Sequence, residues 1–114
     1  MELKITTRNV DGVTILDLAG RLVLGEPTSA LREQLKTLLT DGHKNIVLNL
    51  SGVNYMDSSG LGSLVAGFST VSAQGGQLKL TNLNGKVHDI LRVTKLLTVF
   101  EAFPDEPTAI ASFK

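Results

Sequence analysis

Residues 45–62 read NIVLNLSGVNYMDSSGLG, an apolar run that gives way to an acid, two hydroxyls and two glycines. Ile46, Val47, Leu48 and Leu50 follow one another almost without a polar break, the pattern of a strand covered on both faces. Residues 45–50 are therefore expected to form the central strand of a sheet. Beyond them Leu61, Leu64, Val65, Phe68 and Val71 recur at helical spacing until Gly75-Gly76 stops the pattern. MDSSGLG (56–62) is thus a loop at the carboxyl end of the central strand that runs into a helix, the place where open α/β sheets keep their functional groups.

Reading outward, Leu3 and Ile5 alternate with polar residues, and Asp11-Gly12 offers a tight turn before Val13, Ile15, Leu16 and Leu18, which predicts an opening β-hairpin. After the break at Gly25-Glu26-Pro27, Leu31, Leu35, Leu38 and Leu39 predict a helix over about residues 27–40, with Pro27 in its first turn and Asp41-Gly42 past its last. Residues 77–83 read as a strand in which Leu78 and Leu80 alternate against Lys79 and Thr81. Val87, Ile90 and Leu91 mark a shorter helix, and residues 96–100 a last short strand. Asp105-Glu106-Pro107 opens a final helix, capped by Asp105, with Ile110 and Phe113 inward. The order ββαβαβα, then βα, is an α/β fold: a small mixed β-sheet opened by a β-hairpin, with about four helices packed against it and right-handed crossovers between its parallel strands. The expected core is Ile15, Leu18, Leu31, Leu35, Leu38, Ile46, Leu48, Leu61, Leu64, Val65, Phe68, Leu78, Leu80, Ile90 and Leu91.

Composition narrows the function. The 114 residues are 42% hydrophobic and no Gly/Ser/Pro-rich linker divides them, so one domain over 1–114 is expected. A chain of this size buries roughly two-thirds of its unfolded surface, enough for an aliphatic core without staples. The absence of cysteine removes disulfides, thiolate metal sites and cysteine nucleophiles, and fits a reducing, cytoplasmic setting. Eleven basic against eleven acidic residues, without a basic cluster, argue against nucleic acid as a partner. MELKITTRNV has no apolar signal core and no apolar run approaches a bilayer span, so neither export nor membrane insertion is expected. Asn49-Leu50-Ser51 matches a glycosylation sequon, but at the end of a buried strand it is discarded.

MDSSGLG admits several chemistries. An oxygen on Asp57 or Ser58 can cap the amides at about residues 59–62. A serine nucleophile needs a base and an orienting acid, yet the two histidines, His43 after a helix-ending glycine and His88 within a short helix, read as a loop residue and an exposed helical residue. Neither serine has the glycines of a hydrolase elbow. Gly60-x-Gly62 is followed by Val65 where a dinucleotide fingerprint needs glycine, and there is no P-loop. The carboxylates are scattered singly. No enzyme activity, catalytic residue, cofactor or metal is therefore expected. What remains is modification: Ser58 at a helix N-terminus beside Asp57 could receive a phosphate of roughly −2 charge.

The element order together with VLNLSGVNYMDSSGLG (47–62) closely resembles the STAS domain of bacterial anti-sigma factor antagonists, along essentially the whole chain. In that family the unmodified antagonist binds an anti-sigma factor of histidine-kinase-like ATPase fold and so frees the sigma factor. The anti-sigma factor phosphorylates the first serine after the aspartate, and a PP2C-type serine phosphatase reverses this. The resemblance implies Ser58 as phosphoacceptor, Asp57 as the adjacent acid on the kinase-facing surface, Ser59 as a neighbouring hydroxyl, and Gly60 and Gly62 as small positions that permit close approach. One departure stands out. Many members carry an acid in a G-x-L-D pattern after the second strand, where this chain reads Gly20-Arg21-Leu22-Val23. Glu26 could supply a nearby carboxylate or simply open the helix, and Arg21 could touch the partner. A non-switching STAS scaffold in a signalling or transporter assembly, with Ser58 only a cap, is the alternative. A hydrolase or nucleotide-binding domain is the third reading and lacks its base and its phosphate cradle.

Overall fold

The computed structural model describes residues 3–113, arranged around one five-stranded sheet in the order β1-β2-β3-β4-β5. Strands β1 (Lys4–Val10) and β2 (Val13–Leu22) form the opening antiparallel hairpin. Its turn is Asp11-Gly12 with φ of 53° and 80°, the positive backbone angles that match a two-residue connection to the twist of its strands. Strands β3 (Asn45–Met56), β4 (Gln77–Thr81) and β5 (Ala102–Phe103) then add in parallel. Helices α1 (Glu26–Thr40), α2 (Ser58–Ala73) and α3 (Gly85–Val93) follow β2, β3 and β4, and α4 (Glu106–Ala111) follows β5. The mixed sheet, the hairpin and the four helices are those expected from the sequence.

The near-continuous apolar run of β3 has a direct cause in its two covered faces. Ile46, Leu48 and Leu50 point into the main core, where they meet Leu16 and Leu18 of β2, Leu31 and Leu35 of α1, and Leu64 of α2. Val47 points the other way, into a second cluster with Val13, Ile15, Ala109 and Ile110, which α4 closes. The strand also runs past Leu50 to Met56, further than its aliphatic stretch suggests. Register shifts between Asp17 and Ala19 and between Gly20 and Arg21 keep β2 paired with this extension. Gly52 is needed there, because a side chain would meet the Leu18 carbonyl oxygen at 2.8 Å.

Three expectations are corrected. Residues 96–100 do not form a strand: Leu96–Thr98 is a single 3₁₀ turn and the last strand lies at Ala102–Phe103. Lys95, in the left-handed region at φ 64°, turns the chain after α3. Leu96, Leu97 and Phe100 then face the core at helical spacing, while Val99 is 41% exposed. Phe100 meets the ring of Phe68 edge-on at 5.4 Å. Strand β4 ends at Thr81 rather than Leu83, because Asn82 takes φ 56°. Lys79 and Thr81 alternate with leucines yet are buried, since α4 covers their face. The Lys79 ammonium donates to the Ser112 carbonyl at 3.2 Å and to its hydroxyl at 2.9 Å, and lies 4.4 Å from the Phe113 ring centroid. These contacts compensate a buried cation and place it favourably at the end of a short helix. At the other end of α4, Arg8 forks between Asp17 at 2.6 Å and Glu106 at 2.6 Å.

Of the expected core, Leu61, Val65, Phe68 and Ile90 are only half-buried and pack on its rim. The rest is buried as expected. Leu48, fully buried at the centre of β3, reports on this packing: Leu48→Ala should cost about 2–5 kcal/mol, read as a lowered urea midpoint with an unchanged slope.

Candidate functional site

The site is assembled where β2 and β3 end side by side. Arg21 pairs with Tyr55 and Leu22 with Met56 in the parallel ladder, so the residues after both strands emerge at one end of the sheet. Asp57, in extended conformation, is the N-cap of α2, and its Oδ1 accepts the Gly60 N–H at 2.7 Å. Its Oδ2 accepts the Leu24 N–H of the β2–α1 loop at 3.1 Å. The Asp57 amide in turn donates to the Leu22 carbonyl at 3.4 Å. One residue therefore caps a helix and ties two loops together.

The Gly60 amide holds the Asp57 carboxyl below the usual carboxylate range, with the Leu24 amide as the next cause. Hydrogen bonds to the charged form favour it, so Asp57 is ionised at neutral pH. Ser58 is the first helical residue, exposed, and its hydroxyl has no hydrogen-bond partner among the described residues. Of the two residues that the sequence offered as a cap, Asp57 takes the role and Ser58 is left free of it. Ser59, half-buried, follows it in the same turn.

The two glycines have different surroundings. A side chain on Gly60 would lie 2.0 Å from the Leu22 carbonyl oxygen, so its close approach is to the chain's own β2. Gly62 is exposed, with nothing within 4 Å of where a side chain would stand. Arg21 is exposed and lies 5.2 Å from the ring centroid of Tyr55, itself 48% exposed. Glu26 is the exposed first residue of α1. Asp57, Ser58, Ser59 and Gly60 thus share the first turn of α2 and Gly62 enters the next, with the loop that leads to Glu26 bound to it through Leu24, and Arg21 on the strand beside it.

Sequence reasoning missed three features of this end. Leu24 is 74% exposed; the signal was a lone aliphatic residue next to a loop glycine. Tyr55 stacks under Arg21, which follows from the ladder register and could not be read before the bulges were known. The Asp57–Leu24 bond joins residues 33 positions apart and has no local signature. His43 is half-buried and His88 exposed, and among the described residues no group of three or more His, Asp or Glu side chains could hold a metal ion. No helix of the described residues is long and apolar enough to cross a membrane.

Comparison with known proteins agrees with the fold. A family model for the STAS domain matches residues 4–109. The anti-sigma-B factor antagonist of Bacillus subtilis is 32% identical over 102 residues, covering 89% of this chain and 91% of the relative. The anti-sigma F factor antagonist of Paenibacillus polymyxa is 25% identical over 114 residues, covering 100% and 97%. A crystal structure from Thermotoga maritima superposes with a TM-score of 0.87 at 28% identity, over 95% of this chain and 92% of the other.

The glycine surroundings predict opposite effects of one substitution. Gly60→Ala should destabilise by about 1–3 kcal/mol, because overpacking against a backbone carbonyl outweighs the helix preference for Ala. Gly62→Ala should stabilise by up to about 1 kcal/mol, both read from urea denaturation. Asp57 predicts a pH effect. Its folded carboxyl titrates below its unfolded value of 3.8, so its contribution is complete above that pH and is lost as pH falls through the folded value. Acid unfolding of Asp57→Asn should therefore be shallower in this window, and Asp57→Ala, which also loses the acceptor for Gly60, should be the less stable of the two at pH 7.

Proposed function

The chain belongs to the STAS domain family, and from that premise we propose that it is an anti-sigma factor antagonist working by partner switching. Unmodified, it binds an anti-sigma factor of histidine-kinase-like ATPase fold and so releases the sigma factor. Phosphorylation of Ser58 by that partner ends the complex, and a PP2C-type phosphatase restores it. The nucleotide and its metal belong to the kinase; this chain is its ligand and substrate. Asp57, Ser59, Gly62, Arg21 and Glu26 border the contact, with Gly60 holding the turn from beneath. We place the protein in the cytoplasm, where these partners work.

One observation carries the reading. The helix is capped by Asp57, so the Ser58 hydroxyl is exposed, unbonded and surplus to the fold, in a chain that is similar to antagonists over 89–100% of its length. A phosphate on Ser58 would add roughly −2 charge. The amides at the start of α2 favour that charge and the ionised Asp57 opposes it, so the fold is expected to tolerate it. The partner is not indifferent. A surface that accepted a neutral hydroxyl would have to desolvate a dianion, and a few kcal/mol lowers affinity by about two to three decades.

The test is intact mass with site mapping after incubation with ATP, magnesium and each histidine-kinase-like anti-sigma factor of the same genome. The expected result is one phosphate on Ser58, absent in Ser58→Ala, with phosphorylated protein bound at least about a hundredfold more weakly. Stable binding without phosphate would instead make the chain a constitutive STAS scaffold, a reading that Val23 in place of the family's acid favours.

A further inference from the structure

Ser58 cannot be presented as an extended peptide without cost. It lies inside a hydrogen-bonded frame, with Leu61 N–H on the Asp57 carbonyl at 3.0 Å and Gly60 N–H on the Asp57 carboxylate at 2.7 Å. A kinase that threaded this segment through an active-site groove would have to break the cap and unwind the first turn. The enzyme must therefore meet the folded surface, and its affinity must come from groups that the fold gathers beside the serine rather than from an unfolded stretch of chain on either side of it.

Such groups exist next to the site. Between the end of β3 and α3 lies a cleft of about 320 Å³, lined by Tyr55, Met56, Val87 and Ile90, with Lys86 and Asp89 at its rim. Its walls are mostly apolar, and Met56 connects it to Asp57 and Ser58 through consecutive residues. On α3, Lys86, Ile90 and Val93 recur at i, i+4 and i+7 and so share one face; Val93 is 70% exposed. The charges around the cleft are unbalanced. Asp89 is drawn to Arg92 at 3.7 Å, whereas Lys86 and Arg21 have no carboxylate partner among the described residues, Arg21 resting on the Tyr55 ring at 5.2 Å. An apolar slot flanked by two unpaired cations fits an apolar side chain carried on an acidic segment.

We infer that this β3–α3 cleft is a docking site for the anti-sigma factor that engages Ser58, and that it receives an apolar side chain flanked by carboxylates of that partner. The inference rests on the proposed antagonist function and extends its contact surface to residues outside MDSSGLG. Because Met56 lines the cleft and Ser58, two residues on, does not, the cleft contributes to binding and leaves the phosphoryl-transfer step alone.

The test uses the full chain with ATP, magnesium and the same anti-sigma factors, comparing wild type with Lys86→Glu, at an exposed position, and Ile90→Glu, on the cleft wall. Both should raise Kd and the KM for phosphorylation by about tenfold or more with kcat retained, and Lys86→Glu should keep the wild-type melting temperature. Wild-type affinity in both variants overturns the cleft while leaving the antagonist reading standing. A wild-type chain that no candidate binds or phosphorylates overturns the antagonist reading itself. Variants that alter self-association of the chain instead, seen by sedimentation, would identify the occupant as a second copy and overturn the inference.

Discussion

The Asp57 carboxylate divides its two oxygens between two backbone amides, Gly60 in α2 and Leu24 in the β2–α1 loop, and the geometry of the whole functional end follows from that division. A helix N-terminus needs an acceptor, and a loop that leaves a strand needs a reason to stay beside it. One side chain meets both needs because the parallel pairing of β2 and β3 delivers both loops to the same end of the sheet. Gly60 completes the arrangement, since only a residue without a side chain lets the first turn of α2 approach the Leu22 carbonyl. With cap and tether both supplied by Asp57, the neighbouring serine carries no structural duty. The fold separates the group that holds the loop from the group available for chemistry.

Much of this was legible in the sequence, for physical reasons that differ between parts. The central strand announced itself because residues covered on both faces must be apolar without alternation, and the hairpin because Asp11-Gly12 is one of the few pairs that accept two positive φ angles. The cap of α4 was visible as Asp105 before a helical pattern, whereas for α2 the sequence left Asp57 and Ser58 both open and the structure chose Asp57. Residues 96–100 misled because a short apolar run is compatible with a strand and with a turn of helix, and the deciding feature was a lysine in a left-handed conformation that no pattern marks. Lys79 misled in another way. Alternation reveals that a strand has two faces, but not that a six-residue helix from the end of the chain covers the second one. At the site, the local relations among Asp57, Ser58 and Gly60 could be reasoned from spacing, whereas the Leu24 tether and the Arg21–Tyr55 stack depend on strand register.

The two faces of the sheet are held by different forces. Helices α1, α2 and α3 bury a continuous aliphatic core, a non-directional interaction that tolerates half-buried residues such as Phe68 and Ile90 at its margin. Helix α4 is too short to do the same. Its apolar contact is confined to Ala109 and Ile110, and it is positioned by cations of the sheet, Arg8 on Glu106 near its start and Lys79 on Ser112 at its end. Arg8 also holds the Asp17 carboxyl below its ordinary range, the Asn49 amide adding to this. The functional end projects from β2 and β3, whose aliphatic face is the more extensively covered.

Strand order in this sheet is the order of the chain, and this bears on how the molecule is made. Every strand pairs with its predecessor, so a chain emerging from the ribosome lays each new strand against an edge that already exists and never has to insert one between two others. Leu22, Leu24, Asp57 and Gly60 all lie in the first 60 residues, and the half of the sheet that bears the Asp57–Gly60 loop is synthesised before β4, β5 and α4. The later units close the core over a frame already specified upstream, and the last helix fastens to β1 and β4, strands translated before it. Birth order and spatial order coincide, so each long-range parallel pairing is made to a strand already in place, and few unpaired inner strands are exposed while synthesis continues.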